Sequence, residues 1–85
     1  MKDGQRLTHE ELQRAARRAY RASDLKQTDI AEALGVSQAS ISQALSTPGQ
    51  KFARLQRRIV ELLTPYTVEK EVRFVVRRKA PERDG

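Results

Sequence analysis

Apolar residues recur at helical spacing through most of the chain and then switch to alternation near its end. Leu12, Ala15, Ala16, Ala19 and Tyr20 share one side of a helical wheel, while Arg14, Arg17, Arg18 and Arg21 fall largely elsewhere. This pattern predicts a first helix over residues 9–22. Its start is written locally. Thr8 can cap it, Glu11 can reach back to the cap, and Leu7 and Leu12 stand where a hydrophobic staple needs them. A second helix over 27–34 turns Ile30, Ala31 and Leu34 inward and stops at Gly35, a residue suited to a left-handed helix end. Val36 plugs the core, and Ser37 caps a third helix over 38–45 whose inward residues are Ile41, Ala44 and Leu45. A fourth helix over 49–63 buries Phe52, Leu55, Ile59, Leu62 and Leu63 and is ended by Pro65. Thr47 offers its cap, Pro48 its first helical position, and Gln50 the return half of a second capping box.

The segment after Pro65 differs in kind. It is rich in β-branched residues, and Val68, Val72, Phe74 and Val76 alternate as one face of a strand would. Val68, Val72, Val75 and Val76 also fit helical spacing, so a fifth helix stays open beside the strand. The pattern divides the chain into a disordered lead (1–6), a helical domain (7–64), a C-terminal strand segment (65–79) and a flexible tail (80–85).

Eighty-five residues support one domain with a modest core. There is no cysteine, and His9 is the single histidine, so neither a disulfide framework nor a zinc site is expected, and no cofactor is implied. No apolar run reaches membrane-spanning length, and no signal-peptide core opens the chain, which favours a cytoplasmic protein with no membrane partner. Catalysis finds little to use. His9 stands beside Glu10 and Glu11 at a helix start, where acids suit the helix dipole, and no serine has a base and orienting acid near it in sequence. A formal net charge of +6 points instead to a polyanionic partner. Against that charge, the stretch from Ala33 to Gln50 is conspicuous, because it contains no charged side chain at all.

The residues "LKQTDIAEALGVSQASISQAL", 25–45, resemble the helix-turn-helix of the phage repressor and Cro (Xre-like) DNA-binding family. Gln27 opens the first motif helix and Ala31 is small where the helices approach. Gly35 makes the turn, and Val36 and Ile41 are apolar where the family is buried. The likeness covers about residues 7–63 and not the strand-like segment. It implies a mainly α, four-helix domain whose second motif helix enters the major groove of double-stranded DNA. Gln38, Ala39, Ser42 and Gln43 would then meet base edges, with glutamine suited to adenine and alanine to a thymine methyl. The absence of arginine on that helix predicts a site read mainly at A·T pairs. The likeness also implies phosphate contacts from Gln27 and Lys51, with Lys26, Arg21 and Ser46 as further candidates. Arg14, Arg17, Arg18, Arg57 and Arg58 are expected to form an ordinary solvated face.

One such unit reads few base pairs, so a homodimer on a pseudo-palindromic operator is expected, acting as a transcriptional regulator, most simply a Cro-like repressor of phage or bacterial type. The C-terminal strand, which shows no second strand to pair with, could join its own copy and bury Val72, Phe74 and Val76 across the two-fold axis. Removing 67–85 would then leave a folded monomer. Folding back onto the helices is the competing arrangement. A different class of function is an antitoxin, in which the same segment would bind a toxin partner; a protein-binding helical adaptor is a third.

Overall fold

The first three helices begin and end where local backbone chemistry dictates. In the computed structural model, which describes residues 1–70 and 74–80, the element order is β1 (Arg6–Leu7), α1 (His9–Ala22), α2 (Gln27–Leu34), α3 (Gln38–Ser46), α4 (Gln50–Leu63), β2 (Tyr66–Lys70) and β3 (Phe74–Arg78). The fold is mainly helical with a small three-stranded antiparallel sheet. At α1 the expected capping box is complete: Thr8 N donates to Glu11 Oε1 at 3.0 Å and Glu11 N donates to Thr8 Oγ1 at 3.2 Å. Gly35 ends α2 at φ 69°, a left-handed conformation that opposes a β-carbon. Ser37 Oγ accepts from Ser40 N at 3.1 Å at the start of α3.

The start of α4 departs from expectation. Thr47 does not cap it but closes α3, and the N-cap is Gly49 at φ 123° with no side-chain cap, so Gln50 completes no capping box. The buried face of α4 is also rotated from the expected one. Ala53, Gln56, Ile59 and Val60 are buried, Phe52, Leu55 and Leu63 are only partly covered, and Leu62 is 41% exposed. At the centre of the inward face stands a polar residue, Gln56, whose Nε2 serves backbone groups described below.

The C-terminal segment is neither a lone strand nor a fifth helix. It makes a hairpin, β2 with β3, and β3 also pairs with β1, giving the order β1-β3-β2. Residues 3–6 of the lead expected to be disordered are therefore tied into the sheet. Gly4 N donates to Val76 O, Val76 N donates to Gln5 O, and Asp3 Oδ1 accepts from Arg78 N at 2.8 Å. With a strand on each side, β3 has no free edge to offer a second copy. Phe74 and Val76, expected to meet a partner, are 5% and 0% exposed and lie in the core of their own chain with Leu7, Leu12, Ile59 and Val68. Val72, the third residue assigned to that interface, lies outside the described residues, as do 81–85 of the expected tail.

The outer edge of β2 is blunted as well. Tyr66 N donates to Thr64 Oγ1 and Val68 N to Glu61 Oε2, each at 3.2 Å, so the last turn of α4 occupies donors that another strand would use. The sheet thus backs α1 and α4, while α3 packs on those two helices and α2 on α3. No helix among the described residues is long and apolar enough to cross a membrane.

Candidate nucleic-acid interface

The face of α3 turned from the core carries Gln38, Ala39, Ser42, Gln43 and Ser46, all exposed, within an arc of about 140° at helical spacing. Its opposite face buries Ile41, Ala44 and Leu45. The four residues expected to meet bases therefore share one uncharged surface of short side chains. No side chain longer than glutamine stands on it.

This helix is held by two buried glutamines that sequence reasoning did not single out. A helix leaves its last carbonyls without partners inside the helix. Gln56 Nε2, from α4, donates to Ala44 O and Thr47 O, both at 2.9 Å, and Gln13 Nε2, from α1, donates to Leu45 O. Gln56 is fully buried and Gln13 nearly so. The signal in the sequence was a glutamine set between Leu12 and Ala16 on one apolar face, and another between Phe52 and Val60 on the second. Arg58 does the same for α2, its Nη2 donating to Leu34 O at 2.9 Å. The end of each short helix is thus tied down by a longer one.

Arg17 and Arg21 border the α3 surface. Gln27, half-buried at the first position of α2, lines a shallow groove with Arg17, Tyr20 and Arg21 of α1 and with Ser42, Leu45 and Ser46 of α3. The groove joins Gln27, Arg21 and Ser46 as phosphate candidates and adds Arg17, which the sequence placed on a solvated face. Lys26 is the N-cap of α2; its backbone N–H donates to Asp29 Oδ2 at 2.8 Å, leaving its exposed ammonium outside the capping contacts. The hydroxyl of Ser46 donates to Ser42 O at 2.7 Å, so it must rotate away before it can give a hydrogen bond to a phosphate. Lys51 lies in the first turn of α4 with its ammonium 5.5 Å from the Phe52 ring centroid. A cation there opposes the helix dipole, so its position brings no benefit to the helix itself.

Hydrogen bonds from Thr8, backbone first and then side chain, hold the Glu11 carboxyl below the ordinary carboxylate range, with a smaller contribution from Arg14. The effect belongs to the cap of α1 and not to the α3 surface. Comparison with known proteins adds no relative: no family model matches the chain, and neither curated proteins nor solved structures give a significant match.

Proposed function

We propose that this chain is a sequence-specific double-stranded DNA-binding protein that regulates transcription, with α2 and α3 acting as a helix-turn-helix and α3 entering the major groove. One observation carries the reading. Gln38, Ala39, Ser42 and Gln43 form an uncharged, exposed face on a helix whose C-terminal end is pinned, bordered by Arg17 and Arg21. Short polar side chains on such a face can reach base edges, and cations on the rim can reach phosphates. Gln27, at the first turn of α2, supplies a helix start for one of those phosphates. Repression in the Cro manner, on a two-fold operator bound by a homodimer, is the simplest regulatory form of this proposal. Its dimer interface then lies outside Phe74 and Val76, which the chain covers by itself. The antitoxin alternative needs a C-terminal segment free to add to another protein, and here that segment is built into the sheet.

Selection of bound sequences from random duplex DNA tests the proposal. The expected result is a pair of A·T-rich half-sites, two-fold related, about one helical turn apart. Absence of any enriched sequence, or an invariant G·C core where α3 reads, overturns it.

A further inference from the structure

We infer that α1 is a third DNA-contacting element, with Arg17 and Arg21 gripping the phosphate backbone of the same duplex and Arg14 extending that track; this rests on the reading of α3 as the groove-facing helix. Arg14, Arg17, Arg18 and Arg21 are all exposed and line one depression on α1. At helical spacing, Arg14 neighbours Arg17 and Arg18, and Arg21 neighbours the same two. Like charges three or four residues apart destabilise a helix, and here four such contacts accumulate within about two turns. The offsets are confined to the ends of the stripe: Arg14 acts on the Glu11 carboxylate, and Arg21 stands in the last turn, where the helix dipole favours a cation. Glu10 and Glu11 lie within one turn of Arg14 only, and the Glu11 carboxylate is engaged by the N–H of Thr8. Among the described residues the ion pair is Arg77 with Asp3, on the sheet, so none of the four α1 guanidiniums is paired, and Asp24 does not reach Arg21.

Placement distinguishes the four. Arg17 and Arg21 form the α1 wall of the groove that also holds Gln27, Ser42 and Ser46, so they face the flank of the α3 surface. Arg18 borders the opposite, apolar flank with Ala15, Ala19 and Pro65. From Arg14 to Arg21 the helix rises about 10 Å, a span of roughly three phosphates along one strand. A polyanion laid along this stripe removes the repulsion that the free protein carries.

The salt dependence of binding to a mixed-sequence duplex about two helical turns long tests this. R17A/R21A should flatten the slope of log affinity against log salt by about 1.8, from roughly 0.9 per phosphate released. R17K/R21K should retain the slope, and R18A should leave it near wild type. The thermal midpoint of R17A/R21A should not fall, because alanine favours helix and the repulsion is gone. An unchanged slope in R17A/R21A overturns the inference, as does an equal loss in R18A, which would mean diffuse charge alone. Loss of binding to phosphatidylserine vesicles with the DNA slope intact overturns it in favour of a membrane surface. A wild-type protein with no salt-sensitive DNA affinity fails the α3 reading itself, a result distinct from the others.

Discussion

The α3 surface and the C-terminal sheet are the two parts of this molecule that the sequence offers to partners, and the fold treats them oppositely. Gln38, Ala39, Ser42 and Gln43 stay outside, on a helix that costs the protein two buried glutamines to hold in place. Phe74 and Val76 go inside, between strands and helices of their own chain. Apolar alternation marks a segment that must be covered without saying by what. An uncharged polar face on a pinned helix is harder to explain by folding alone, since nothing in the core requires it. The contrast teaches that apolar alternation alone does not mark a segment as facing a partner.

The largest expected effect comes from removing the sheet. A chain ending at Tyr66 loses Val68, Val75, Val76 and Phe74, and it should fail to melt cooperatively by circular dichroism, in place of the folded monomer that a partner-facing strand would leave. The single substitution Phe74→Ala should cost about 3–5 kcal/mol in denaturant unfolding. If instead it yielded a stable monomer from a dimer by sedimentation, the sheet would be an interface after all. Gln56→Leu comes next. It strands the carbonyls of Ala44 and Thr47 and should cost about 1–3 kcal/mol of stability. DNA affinity should fall with it, while Leu62→Gln, on the exposed part of the same helix, should leave both near wild type.

Gln43→Ala should leave the fold alone and remove about 1–3 kcal/mol of discrimination at one base position. Lys51→Ala should weaken all sequences alike and flatten the salt slope by about one unit. Equal effects of the two on matched and mismatched sites would erase the division between base-reading face and phosphate rim. The smallest effect concerns Glu11. Its carboxyl titrates lower in the folded chain than in the unfolded one, so its stabilisation is present above the ordinary value of 4.5 and is lost as pH falls through the lowered folded value. Glu11→Gln should lessen the acid sensitivity of the melt there and leave DNA binding at neutral pH unchanged.

Local rules carried the reading of the helices. Caps, a left-handed glycine and apolar spacing set α1 at His9–Ala22 and α2 at Gln27–Leu34, as expected from residues within one or two turns of each boundary. They failed where a distant group had a claim. Thr47 reads as a cap for α4, yet its carbonyl is taken by Gln56 and its N–H closes α3. Gln56 lies on the buried face of α4 between Ala53 and Val60, where its Nε2 meets the carbonyls of Ala44 and Thr47, groups far from it in sequence. The α3 surface was legible because helical spacing alone fixes which residues oppose Ile41, Ala44 and Leu45. The place of Arg17 beside that surface was not, since it depends on how α1 lies against α3.

Residue order therefore decided the four helices, the caps of α1 and α3, the glycine end of α2 and the neutral face between Ser37 and Thr47, all products of contacts a few residues apart. The three-dimensional arrangement alone decided that Gly4 and Gln5 meet Val76, that β3 is a central strand, and that Gln13 and Gln56 meet one helix end. Those contacts join residues distant along the chain, and a backbone donor or a buried amide takes whichever partner the packing of α1 and α4 brings within reach.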